Sequence, residues 1–224
     1  MTQHQSSPLD LVILIYPGMT LLDAIGPMEI LAISPHLHVR FASFTPNTVL
    51  NDHQNIGLTQ FTDANQIEAC DILLIPGGGG DQLVRKDEEI LNWIKKIDQT
   101  TRHTVSVCTG SLILAQAGLL KGRQASSHWA YLNELKSLGA HPKRQRYTVD
   151  GKYITAAGVS AGIDMSLYLL QSLFGKKHAK SLQFGIEYFP KRFDLLTPYS
   201  LPKKLLHAPA KIVRKAVDTM VSKI

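Results

Sequence analysis

Residues 103–120, HTVSVCTGSLILAQAGLL, set Cys108 between a strand-like run and an apolar helix opened by Thr109-Gly110-Ser111. A thiol on such a turn stands at a helix N-terminus, where free backbone N–H groups and the positive dipole end favour thiolate. The expectation is a nucleophile of lowered pKa, with the Thr109 N–H aimed at charge developing on a bound substrate. A buried structural cysteine fits the same spacing. Residues 71–80, DILLIPGGGG, form a second constellation. Glycines after a buried strand let backbone N–H groups approach a ligand closely. The run continues as Asp81-Gln82, so GxGxxG is absent, as is GxxxxGK[ST]. An oxyanion hole or a plain turn remains.

Asp23 lies in the apolar stretch TLLDAIGPMEI. It is either a helix-start charge stabilised by the dipole or a carboxyl with a raised pKa that exchanges protons with a substrate. Glu29, six residues on, is the rival acid. His128, in QASSHWA, is either a capping and packing residue or a catalytic one, and Trp129 is core or pocket wall.

These residues need elements to hold them. Leu9–Tyr16 and Asp71–Ile75 are short apolar runs suited to parallel strands buried on both faces. His38–Thr45 and His103–Val107 read as further strands, and Gly57–Phe61 as a short hairpin arm. Helices are expected at Leu21–Ile33, capped by Thr20 and with a kink or a restart at Gly26-Pro27, and at Asp87–Gln99. Others follow Cys108 and span Trp129–Leu138, Val159–Phe174 and Lys177–Glu187. Asp150-Gly151 marks a hairpin. Strands alternating with helices predict an α/β sandwich with a parallel or mixed sheet.

At 224 residues and 44% hydrophobic, the chain has material for one full domain core. Two cysteines, Cys70 and Cys108, are too few for a disulfide framework and lack zinc-ligand spacing, so no metal is expected. The N-terminal MTQHQSSPLD lacks the regions of a signal peptide, and no run reaches membrane-helix length, so a cytoplasmic location is expected. The net charge of +6 is unevenly placed: residues 176–224 hold eleven Lys/Arg against three Asp/Glu, residues 1–175 thirteen against fifteen. The excess thus belongs to the tail, whose KIVRKAVDTMVSKI reads as an amphipathic helix packed on the body, and no nucleic-acid partner is expected.

Taken in order, the strand before PGG, the strand ending at Cys108 and the acid on the first helix resemble the DJ-1/PfpI (ThiJ) superfamily. That resemblance implies a class I glutamine amidotransferase-like (flavodoxin-like) three-layer sandwich with a mostly parallel sheet. It covers residues 9–190, leaving 1–8 as a flexible N-terminus and 191–224 as a basic extension. SVCTGSLILAQAGLLKGRQASSHWAYLNELKSLGA, GVSAGIDMSLYLLQSLFG, LLDAIGP and LQFGIEYFP look like the isonitrile hydratase subgroup and the sensor domains of related AraC-type regulators. The resemblance implies Cys108 as nucleophile, Asp23 as the acid beside it and Thr109 as its substrate-facing neighbour. Gly78 is implied as the other oxyanion donor, with Gly77, Gly158 and His128 around the pocket. It implies no cofactor, a small-molecule substrate and a homodimer. PfpI-type peptidases carry His after the nucleophile, where Thr109 stands here, so no protease-like pair is present. The loop Gly79–Arg85 also differs from that of the hydratases. Isocyanide hydration is the leading activity. A glyoxalase or deglycase acting on 2-oxoaldehydes, or a ligand- or redox-sensing domain, is the alternative.

Overall fold

The computed structural model describes residues 7–190. The basic extension 191–224, with its expected helix, lies outside the described residues, as do residues 1–6.

The chain runs through β1 (Leu9–Leu14), α1 (Leu21–Leu31), β2 (Leu37–Ser43) and a small hairpin, β3 (Val49–Leu50) with β4 (Gly57–Leu58). Then come β5 (Thr62–Asp63), β6 (Ile72–Ile75), α2 (Asp81–Val84), α3 (Glu88–Asp98), β7 (His103–Val107) and α4 (Gly110–Gln116). The last part holds β8 (Gln124–Ala125), α5 (Leu132–Ser137), β9 (His141–Pro142), the hairpin β10 (Tyr147–Asp150) and β11 (Tyr153–Ala156), then α6 (Ala161–Phe174) and α7 (Lys176–Gly185).

Seven strands form one sheet in the order β10-β11-β7-β6-β1-β2-β5, and only β10 runs antiparallel to its neighbour. β6, ILLI, is buried throughout, and β1 along its last four residues, because helices cover both faces of the sheet. From β1 the chain steps to β2 in one direction, and from β6 to β7 in the other. Right-handed crossovers therefore put α1 and α3 on opposite faces. α6 packs with α1 and α7, whereas α4 packs with α2, α3 and α5. The reversal between β1 and β6 leaves a crevice at the carboxyl ends of the strands, the usual place for a ligand in an open α/β sheet. The loops after β1, β6, β7 and β11 all open there. Among the described residues no helix is long and apolar enough to cross a membrane.

Three local expectations are corrected. α1 runs unbroken through Gly26-Pro27. Gly26 has no Cβ to meet the proline ring, and Gly162 of α6 leaves room for Pro27, whose Cγ would lie 3.2 Å from an added Cβ. Thr20 stands at the N-cap of α1, but its hydroxyl does not cap the helix; it donates to Asp52 Oδ2 at 2.8 Å. The segment after His128 also begins as a 3-10 turn, Trp129–Tyr131, before α5.

Candidate active site

Cys108 follows β7 directly and adopts φ 58°, a left-handed conformation rare for a residue with a Cβ. Strain of this kind persists only where surroundings over-determine it. Here the Cys108 N–H donates to the Ala156 carbonyl at 3.1 Å. Its own carbonyl accepts from the Ser111 hydroxyl at 3.1 Å and the Ser127 hydroxyl at 3.0 Å. Gly110 completes the turn, since a Cβ there would lie 2.1 Å from the Ile75 carbonyl oxygen of the neighbouring strand. The side chain is 6% exposed.

Around the sulfur stand two backbone donors, the N–H groups of Thr109 and Val159, and one carboxyl, that of Asp23. Asp23 is fully buried on the first turn of α1 and accepts from the Gly77 N–H at 3.0 Å through Oδ2. Its carboxyl meets the Cys108 thiol, although Oδ1 completes no well-aligned hydrogen bond. Glu29 is exposed on the same helix, so the structure brings Asp23, not the rival acid, to the thiol.

Burial pushes Asp23 up to about 7, opposed by the Gly77 N–H and the Cys108 thiol and aided by the Asp52 charge. Burial, then the Asp23 charge, push the Cys108 thiol well up, against the pull of the Thr109 and Val159 N–H groups. The expectation of a lowered thiol pKa is therefore corrected. The helix N-terminus acts as foreseen, but desolvation and a neighbouring carboxylate outweigh it. A thiol and a carboxyl in contact titrate as a pair, and the pair holds its proton on sulfur until something shifts the balance.

The glycine loop serves this pair in an unexpected way. The Gly77 N–H orients Asp23, and the Gly78 N–H, expected to face a substrate oxyanion, donates to Thr109 Oγ1 at 3.0 Å. Gly78 adopts φ 125°, and an added Cβ would meet the Thr20 nitrogen at 2.2 Å. At Gly77 an added Cβ would lie 2.5 Å from the Thr109 nitrogen and 2.9 Å from Cys108 Cβ. Gly77→Ala should therefore lower stability by about 1–3 kcal/mol as overpacking does, read by urea denaturation, and displace Asp23 from the thiol. An unchanged midpoint would contradict this packing.

His128 is half-buried, its pKa lowered by burial. Its Nδ1 accepts from the Ala130 N–H at 3.4 Å, and Gly158 lies against its ring, 3.3 Å from an added Cβ to Cδ2. It thus borders the loop that carries Val159, but no hydrogen bond joins it to Cys108. Sequence reasoning missed Val159, whose backbone contact leaves no residue-type signal. It also missed Tyr16, buried just after β1 with its hydroxyl donating to the Pro76 carbonyl at 2.8 Å. Tyr16, Pro17 and Gly80 also border a cavity of about 280 Å³ reaching Phe44 and Ile90.

The raised Asp23 pKa has a thermodynamic consequence. Between the ordinary value of 3.8 and about 7 the folded chain binds more protons at Asp23 than the unfolded chain does. Its contribution to stability is complete below about pH 4 and is lost as pH rises through 7. Asp23→Asn keeps an acceptor for the Gly77 N–H and removes this dependence. The variant should gain on the parent as pH rises from 5 to 8, by at most about 3 kcal/mol. Equal pH slopes in denaturant unfolding would refute it.

Comparison with known proteins places this geometry. The DJ-1/PfpI family profile matches residues 10–172, from β1 into α6, and so includes Asp23, Gly77, Cys108 and Val159. The chain is 36% identical over 206 residues to an isonitrile hydratase of Pseudomonas putida, covering 91% of this chain and 89% of that one. It is 28% identical over 149 residues to a deglycase of Thermococcus kodakarensis, covering 66% and 89%. The crystal structure of a ThiJ/PfpI family protein from Pseudomonas syringae superposes with a TM-score of 0.83 at 30% identity, covering 97% of this chain and 87% of that one. A matched segment that contains the whole crevice, and near full-length similarity in sequence and fold, have one reading: this chain belongs to the DJ-1/PfpI family.

Proposed function

We propose that the protein is a cysteine-dependent hydro-lyase that hydrates an isocyanide to an N-substituted formamide. The observation that carries this reading is the buried contact between the Cys108 thiol and an acid, Asp23, pushed up to about 7. The near full-length similarity to an isonitrile hydratase supports it.

An isocyanide must gain a proton and a nucleophile on the same terminal carbon. The reactive form of the pair carries one proton, held on Asp23, with Cys108 as thiolate. The Thr109 and Val159 N–H groups stabilise that thiolate, and burial favours the protonated carboxyl. Sulfur attacks the carbon while Asp23 gives its proton to the same atom, which forms a thioimidate and leaves Asp23 as carboxylate. Asp23 then takes a proton from water as the hydroxide adds to carbon, and passes it to nitrogen. Collapse of the tetrahedral adduct breaks the C–S bond, returns the hydroxyl proton to Asp23 and releases the formamide. Thr109 is positioned to support the adduct through its N–H. Rotation of its hydroxyl away from Gly78 would free a second backbone donor.

Incubation with cyclohexyl isocyanide should consume the isocyanide and yield N-cyclohexylformamide, followed by NMR. No formamide, together with lactate formed from methylglyoxal, would replace this reading by the 2-oxoaldehyde one, which the deglycase similarity favours. We also expect a cytoplasmic homodimer that binds no nucleic acid. Light scattering should give twice the 24.8 kDa chain mass.

A further inference from the structure

We propose that Arg146 is a positioning residue for Cys108, acting through the loop that carries Val159. The proposal rests on the hydration reading only for its effect on turnover.

In the loop between β11 and α6, residues 157–160, the Val159 N–H pulls the Cys108 thiol toward thiolate, and Ala156, which leads into the loop, accepts from the Cys108 N–H at 3.1 Å. Arg146 grips this loop at both ends. Its backbone carbonyl accepts from the Ala157 N–H at 2.8 Å. Its guanidinium reaches Ser160 Oγ at 3.2 Å through one nitrogen, and Asp164 Oδ2 at 2.7 Å through Nε, with a further contact from the other terminal nitrogen. Ser160 is the N-cap residue of α6, and its side chain makes no capping bond of its own, so its hydroxyl serves this contact. Tyr188, beyond α7, donates its hydroxyl to Asp164 Oδ1 at 2.9 Å and holds the carboxylate from the other side.

Arg146 is 47% exposed, and a surface ion pair of this kind adds little to global stability. Its planar fork is nevertheless suited to hold a hydroxyl and a carboxylate in fixed register, which a lysine ammonium cannot do. The loop leaves the sheet at Ala157 and enters α6 at Ala161. Fixing both ends leaves the two residues between them, Gly158 and Val159, little freedom to swing the N–H off the sulfur. A thiolate that loses one backbone donor is less stable, and the reactive form of the pair becomes rarer.

The test is hydrogen–deuterium exchange of the peptide spanning residues 157–161, compared with the rest of the chain, in the parent, Arg146→Ala, Arg146→Lys and Ser160→Ala. Arg146→Ala should speed exchange in this peptide by about tenfold, the loss of one charge-assisted hydrogen bond, and leave strands β6 and β7 as protected as before. Arg146→Lys should fall between, and Ser160→Ala, a mild change, should loosen the same peptide less. Cys108→Ala should free the Val159 amide without disturbing Arg146. On cyclohexyl isocyanide, Arg146→Ala should lower kcat by about tenfold with KM little changed, as lost transition-state stabilisation does. Unchanged exchange in the loop, or an equal rise throughout the chain, overturns the proposal. If the parent makes no formamide, the hydration reading fails, while the exchange pattern still decides the role of Arg146.

Discussion

Cys108→Ala is expected to abolish isocyanide hydration, with a fall in kcat on the order of 10⁴-fold or more, as loss of a covalent nucleophile produces. The sulfur forms the bond that every later step depends on, and Cys70 cannot replace it. Cys70 is buried two residues before β6, with its thiol pushed up to about 12 by burial, and Asp23 is not among the groups acting on it. The fold should survive. Alanine has the same Cβ, so it meets the same φ requirement at position 108, and the backbone bonds to Ala156, Ser111 and Ser127 involve no sulfur. Circular dichroism should therefore show a transition close to the parent's, while NMR detects no formamide. A variant that keeps more than a hundredth of the activity would mean that the thiol is a bystander and that Asp23 hydrates the substrate by general acid catalysis alone.

Asp23→Asn should cost about 10²–10⁴-fold, the usual range for a proton-transfer group. Asparagine still accepts from the Gly77 N–H, so the loss reports proton transfer rather than collapse of the loop. The pH profile adds an independent sign. The reactive form needs one proton shared by the pair, so in the parent kcat/KM should rise as the first proton leaves near pH 7 and decline only above the ordinary thiol range. In the variant the rise near pH 7 should vanish. A parent profile that falls through pH 7 would reverse the assignment and make the doubly protonated pair the reactive form.

The helical spacing in EEILNWIKKID, with Asp87 ahead of it, is realised in α3, where Asp87 Oδ1 caps the Glu89 and Ile90 N–H groups. Asp150-Gly151 closes the β10–β11 hairpin, with Gly151 at φ 61°. These features are legible because a turn or a helix start is decided by a few neighbouring residues. Cys108 at the end of a strand, with glycine two residues later, belongs to the same class.

The order of residues alone specifies a linear frame: the strands, the thiol at the head of α4, the PGG loop and two acids on the first helix. The choice between the acids came with packing, because residues 23 and 29 of one helix face opposite environments in the folded chain, Asp23 buried and Glu29 exposed. Packing also assigned the Gly77 amide to Asp23, 54 residues away, and the Gly78 amide to Thr109, 31 residues away. The thiol reversed its expected direction for the same reason. A helix N-terminus is a local feature that sequence reveals, whereas desolvation and a facing carboxylate arise only when four loops converge at the carboxyl ends of β1, β6, β7 and β11.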